Sequence, residues 1–465
     1  MLRAAAVVEK MGIPAASIIS SPFLKQAEVV KKGLGVPLAI GAYPGVPLLD
    51  SDEELARKVE EVLAPGLLAG LTGEVPTDDN ASEASREPAS GSVVFSGTLQ
   101  QVQDHFHEKM WTDGLPIVPP TRAAVDEFLK FTDRRAEEVI SAIPQEGREA
   151  SILSIAVNGV MSGCRPEYMP VLIGVVEAMA DPVFRVEDAG STPGWEPVVI
   201  VNGPLVRELG FHFGQGMMRF GRQANSSVGR FVRMYLRNIC GFRVPPGAGD
   251  KGSIAQSFLV AMSEDEEAAK AIGWPTYAQD KGFAPDDNVV SLRSVISVSG
   301  PIYTAGTHAL DHVRVWAEMM TQSFGYWAYT GFKTGEWYPL VVAGPGVAKV
   351  IASEWTKDRV KQYVRDNLVV KAGQAQQYAR IGSTPTFTFE NYVKEGILPA
   401  EYAASTNMER MVNPVLKLEF VDVLVAGDPG RNQSRAYLCN HIQGAPVSKK
   451  VTLPANWAAL RPKQA

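Results

Sequence analysis

The word NGVMSGCRPEYMP (158–170) sets a thiol beside a guanidinium and a carboxyl: Cys164, Arg165 and Glu167. Pro166 suits the first turn of a helix, which would put Cys164 at a helix start, where unpaired N–H groups and the helix dipole favour an anion. With the Arg165 charge added, the thiol pKa is expected to fall, and the thiolate is the nucleophilic form of cysteine. Glu167 is the candidate to orient a substrate or carry a proton, although its charge would oppose a thiolate. The plainer reading is a small cysteine filling space, because cysteine is among the most buried residue types.

A second candidate is HFGQGMMRFGRQANSSVGRFVRMYLRN (212–238). Gly214, Gly216 and Gly221 make a pliable loop, and Asn225 or Ser226 is expected to cap the helix that follows. Arg219 and Arg222 lie in the loop, and Arg230 lies one turn into the helix. Loop glycines running into a helix start can cradle an anion, and arginine can grip a carboxylate or phosphate through two parallel hydrogen bonds. The glycine spacing is not that of a dinucleotide fingerprint. Arg230, Arg233 and Arg237 also share a helical register, so a solvated basic face is the competing account.

THALDH (307–312) spaces His308 and His312 four residues apart, which on a helix would put both on one face as metal ligands can be. No metalloprotease glutamate lies between them and no third ligand is evident, so two ordinary polar histidines are the simpler reading. SEDEE (263–267) reads as a solvated helix face, GDPGRNQSR (427–435) as a loop after a strand, and Cys240 and Cys439 as structural.

The elements that would position these residues alternate. Residues 2–11 read as a helix ending at Gly12, followed by a strand from Ala15 to Ile19. A helix opened by Ser21 and Pro22 comes next, then a strand from Val36 to Ile40, then a helix from the Ser51/Glu54 capping pair to about Leu63. That order implies a small parallel sheet, incomplete with two strands. Residues 74–98 are small, polar and acidic, the composition of a linker. From residue 99 to residue 465 a larger α/β or α+β domain is expected. It would have helices over 151–161, 166–180 (delayed by Pro170) and 225–239. Strands are expected at 197–202, 289–298, 340–344 and 421–426.

A chain of 465 residues exceeds the ~250–300 residues at which one core stops growing, so at least two domains are expected. A net charge of −6 argues against nucleic acid as the main partner. Three widely spaced cysteines argue against a disulfide framework and for a reducing, cytoplasmic setting. No signal peptide and no apolar run of membrane-spanning length is read.

Residues 1–73 resemble the tail of the UGSC family of selenocysteine or cysteine proteins, through VVEKMGIPAASIIS (7–20) and KKGLGVPLAIGAYPG (31–45). In that family a Sec/Cys-Gly-Ser-Cys redox motif precedes this helix; here the chain begins at about that point without it. The resemblance therefore implies a redox centre on a separate chain, upstream, or lost. Residues 108–445 resemble a bacterial domain often linked with that family, through WTDGLPIVPPT, AVNGVMSGCRPEYMPVLIGVVEAM, VIVNGP, RQANSSVGRFVRMYLRN and LVVAGPGVAKVIASEWTKDRVKQYV. Its members usually carry a Pro-Glu-His-Ala word where this chain has Pro345-Gly346-Val347-Ala348. The resemblance raises Cys164 as a site residue and implies thiol redox chemistry, such as cleavage of a carbon–heteroatom bond.

The expectation is thus a thiol-dependent enzyme for a small anionic substrate. Cys164 would react, Glu167 would move a proton, and Arg165, Arg219, Arg222 and Arg230 would hold the anion, with Asn225 and Ser226 adding hydrogen bonds. No cofactor is demanded beyond an external thiol donor, and a thiol redox partner chain and an oligomer are expected. A metal-dependent hydrolase or lyase using His308 and His312, and a non-catalytic subunit of a thiol redox complex, are the alternatives.

Overall fold

A computed structural model describes residues 2–34, 38–73, 91–143, 148–186, 189, 195–244, 257–323, 337–382, 385–413, 417–439 and 444–461. Most of the expected linker, residues 74–90, lies outside the described residues. The chain divides into two compact units. One comprises Met1–Pro116, Ser141–Ala150 and Tyr235–Gly252; the other comprises Ile117–Ile140, Ser151–Met234 and Ser253–Ala465.

In the first unit, α1 (Leu2–Lys10), β1 (Ala16–Ser20), α2 (Leu24–Leu34), β2 (Ala39–Tyr43) and α3 (Asp52–Lys58) alternate. A helical crossover between strands makes them parallel, and β1 pairs with β2 from Ala16 opposite Ala39 to Ser20 opposite Tyr43. Gly12, at φ +79°, ends the first helix in the left-handed conformation that glycine tolerates best. Ser21–Phe23 is a 3-10 turn leading into α2, so the Ser-Pro opening is tighter than expected. The Ser51 hydroxyl accepts the Glu54 N–H at 3.3 Å. Beyond α3 the chain widens into a π-helical turn over Val59–Leu63 and continues as α4 (Ala64–Thr72). Leu2, Ala6, Ala27 and Leu38 form a small core. Later come α5 (Leu99–Glu108), opened by a Thr98/Gln101 capping box, and most of a two-stranded sheet of β3 (Val139–Ile143) and β4 (Arg148–Ser151).

The second unit carries α6 (Arg122–Leu129), α7 (Ile152–Met161), α8 (Met169–Ala180), β5 (Glu196–Asn202), α9 (Leu205–Glu208), α10 (Gln223–Asn238) and β6 (Met262–Ser263). There follow α11 (Glu266–Ala271), α12 (Tyr277–Asp280), β7 (Val289–Val298), β8 (Ile302–Tyr303), α13 (Ala309–Ser323), β9 (Tyr338–Ala343), α14 (Pro345–Ala352) and α15 (Lys357–Asn367). A short pair, β10 (Val370–Lys371) and β11 (Met411–Val412), precedes β12 (Asp422–Val425), β13 (Gln433–Cys439) and β14 (Val447–Lys450).

The main sheet runs β12-β9-β13-β7-β5-β6, with β14 on β7 and β8 on β13. Pairs β12/β9 and β5/β6 are parallel, and the central pairs are antiparallel. Its two end strands meet: the Asp265 N–H donates to the Val425 carbonyl at 2.8 Å, and the Val425 N–H to the Glu264 carboxylate at 3.4 Å. Alternate residues of its strands, among them Val198, Ile200, Met262, Val295, Leu340 and Leu424, share one inner core, as the period of two requires. On the opposite face Val341, Val423, Val425 and Leu438 pack with Val313 and Trp316 of α13, Ile351 of α14 and Val364 of α15. The architecture is α/β.

Two expectations fail here. GDPGRNQSR is not loop throughout, because Gln433 begins β13, which pairs with β7, β8 and β9. SEDEE is not a solvated helix face. Ser263 ends β6, Glu264 is 1% exposed, and Asp265 caps a helix that starts only at Glu266.

Candidate functional site

Cys164 ends a helix rather than starting one. Nearly every face of α7 is apolar and buried, so packing carries this helix more than any cap. It closes at Gly163, φ +75°, with the Gly163 N–H on Val160 O at 2.9 Å and the Cys164 N–H on Gly159 O at 3.0 Å. This is the paired-bond C-terminal cap, with the glycine in the left-handed position. The negative end of a helix dipole thus lies beside Cys164. Pro166 opens only a three-residue 3-10 turn, and α8 proper starts at Met169.

Three consequences revise the expected thiolate. Cys164 is buried, and burial pushes its thiol up to about 12, with the Ser227 hydroxyl and the Arg230 charge only partly opposing this. Arg165 pairs with Glu167 at 2.5 Å, Nε to Oε1, so that guanidinium and carboxylate hold each other rather than a thiolate or a substrate. Glu167 is itself 6% exposed, which restricts its access to anything in solvent.

The structure nevertheless brings the two sequence words together. Gln223, Ser227 and Arg230 stand at i, i+4 and i+7 on one face of α10. Ser227 and Arg230 act on the Cys164 sulfur, and the Gln223 amide reaches the Gly163 carbonyl at 3.5 Å, the outer limit of a hydrogen bond. The helix begins two residues before the expected cap. The Ser226 N–H donates to Arg222 O at 2.9 Å, so Arg222 stands at the cap position. Arg219 and Arg222 are exposed at this end of the helix.

Asn225 has another task. Wholly buried, it accepts the His212 N–H at 2.7 Å and donates to His212 O at 3.0 Å and Ala261 O at 2.9 Å. It ties the loop before α10 to the segment entering β6, and is no substrate ligand. Ser226 keeps a buried hydroxyl oxygen without a partner.

No family model, curated protein or solved structure matches the chain.

The histidine pair separates. His308 precedes α13, is mostly exposed and meets Glu354 at 2.7 Å, which raises its pKa. His312 turns inward and meets the Thr304 hydroxyl at 2.7 Å. The two imidazoles thus have different partners on different faces, which removes the geometric basis for a shared metal. Among the described residues no group of three or more His, Cys, Asp or Glu side chains could hold a metal ion. Nor is any described helix long and apolar enough to cross a membrane.

A buried cluster linking β7, β12 and β13 had no sequence signal. Arg293 of β7, wholly buried, bonds Asp422 of β12, the Tyr277 hydroxyl at 3.0 Å, the Cys439 sulfur at 3.1 Å and Tyr338 O at 2.7 Å. Lys281 reaches the other Asp422 oxygen at 2.7 Å. Burial alone would raise the Asp422 pKa, but the two cations outweigh it and hold the carboxyl below its usual range. Cys439 is therefore more than filler: its sulfur accepts a charged donor in the core.

Proposed function

We propose that the chain is a thiol-using enzyme subunit that handles a small anionic molecule where the Cys164 loop meets the start of α10. The carrying observation is the convergence of Cys164, Ser227 and Arg230. Arg219 and Arg222 would supply the guanidinium grip, and the first turn of α10 its N–H groups. The resemblance to the UGSC family supports thiol redox chemistry.

The thiol is neutral at rest, so it becomes a nucleophile only after losing its proton in the bound state. In a reductive cleavage, the Cys164 thiolate would attack carbon, and the carbon–heteroatom electron pair would leave on the heteroatom, which takes the proton. A second thiol would then attack the Cys164 sulfur, giving a disulfide and transferring the electron pair to carbon, which is protonated. Cys240 and Cys439 are wholly buried, so the second thiol would come from a small external thiol or a partner chain. A reducing, cytoplasmic setting fits that chemistry.

The high resting pKa of Cys164 favours a second reading, a non-catalytic subunit that presents the anion to a redox centre on another chain. Turnover of halogenated or thioether carboxylates with dithiothreitol, by wild type and Cys164→Ser, separates the two. Activity lost in the variant supports the first reading. Full activity in Cys164→Ser ends it, and inactivity of the wild type alone but not with a thiol partner chain selects the second.

A further inference from the structure

A second polar site lies at the carboxyl ends of the parallel strands β5 and β6. A pocket of ≈ 170 Å³ is lined there by residues including Gly203, Arg207, Phe213, Glu264, Glu266 and Asp286, smaller than the ~300–1,000 Å³ usual for drug-sized ligands. The backbone at Gly203 is built for close approach: φ is +95° and a Cβ would stand 2.3 Å from Asp287 O. Asn202, at the end of β5, is wholly buried between two carboxylates. Its Nδ2 donates to Glu264 at 2.7 Å and to Glu266 at 2.9 Å, which leaves its Oδ1 buried without a partner. Buried polar atoms ordinarily have partners, and this one, an acceptor beside two more acceptors, lies behind the residues that line the pocket.

The lining chemistry chooses the ligand. Glu264, Glu266, Glu267 and Asp286 face two cations, Arg207 and Lys270. Arg207 is taken by Glu267 at 2.6 Å, and Lys270 lies 3.6 Å from Glu266. Glu264 and Asp286 are left without a cation of their own in the pocket. We propose that this pocket binds a small molecule carrying an ammonium group, held between Glu264 and Asp286. This goes beyond the Cys164 reading and does not depend on it.

Proton release should accompany that binding, because burial lifts the Glu264 carboxyl to about 7. The nearby Lys357 charge and the bonds from the Tyr277 N–H and Asn202 only partly oppose this, and Glu266 adds to it. Near neutral pH the group therefore still holds part of its proton, and a cation beside it favours the ionised form. Asp286 is exposed at the pocket wall and supplies longer-range attraction.

Calorimetric titration of the full chain with ethanolamine, in two buffers of different ionisation enthalpy, tests this. At pH 7 binding should release a measurable fraction of a proton per site, from a group only partly ionised before binding. At pH 8, where ethanolamine is still almost wholly ammonium, release should fall to about a tenth of a proton. Glu264→Gln should abolish the release, and Asp286→Asn, which leaves the buried bonds intact, should weaken binding several-fold while keeping it. Absence of ethanolamine binding to the wild type, binding without proton release at pH 7, or equal binding of glycolate would overturn the proposal. Alkylation of Cys164 is unaffected by any of these results, so the two sites fail separately.

Discussion

At the scale of single residues, the decisive fact is that local charge does not set a thiol's acidity when burial opposes it. Arg165 adjoins Cys164 in sequence, yet its side chain is held by Glu167, and the backbone cap of α7 withdraws the sulfur from solvent. Asn225 offers a clean test of the structural role that replaced its expected one. Asn225→Ala removes three hydrogen bonds to His212 and Ala261, each worth about 1 kcal/mol net. Chemical denaturation should therefore show a loss of about 3 kcal/mol. A loss below 0.5 kcal/mol would return Asn225 to the list of binding residues.

At the scale of elements, the strongly patterned segments were readable and the short or charged ones were not. The helix expected over 151–161 and the strands expected over 197–202 and 289–298 match α7, β5 and β7 within a residue or two, because α7 and β5 carry apolar runs and β7 alternates. The parallel pairing of β1 and β2 followed from the helix between them. Strand β13 was hidden because QSRAYLC opens on polar residues, and β6 because two residues carry no period. Glu264 was hidden by its acidic neighbours, since composition cannot tell which of five polar residues turns inward. The convergence of Cys164 with Ser227 and Arg230 is long-range, and no spacing rule reports it. Helix α10 also carries a packing constraint. A Cβ on Gly229 would lie 2.5 Å from the backbone at Leu259 and Val260, atoms that cannot swing aside. Gly229→Ala should cost about 1–3 kcal/mol or more through overpacking, seen as a lowered Tm. An unchanged Tm would mean that α10 does not press on that segment.

At the scale of the whole molecule, two buried carboxyls pull stability in opposite directions with pH. Asp422 is held below its usual pKa by Arg293 and Lys281 against the cost of burial. Its contribution is present above the ordinary aspartate value and fades as pH falls through the lowered folded one. Glu264 is raised from 4.5 to about 7. Between those values the folded chain holds a proton that the unfolded chain releases, so stability falls as pH rises across that window, by on the order of 3 kcal/mol. Thermal melts should show this decline in the wild type and its loss in Glu264→Gln; an identical slope in both would contradict the burial of that carboxyl. Asp422→Asn should destabilise by about 3–5 kcal/mol at neutral pH, because Arg293 would be left charged and unpaired.

In the proposed function Cys164 sits beside a site for small anions while burial keeps its own thiol neutral at rest. Competing alkylation by iodoacetate and iodoacetamide, scored at Cys164 by mass spectrometry and referred to free cysteine, measures both halves at once. Both reagents should react far more slowly than with free cysteine at pH 7. The ratio should nevertheless favour the anionic reagent several-fold, and that preference should vanish in Arg222→Ala. A fast, thiolate-like reaction, a ratio equal to that of free cysteine, or no labelling of the folded protein would contradict it.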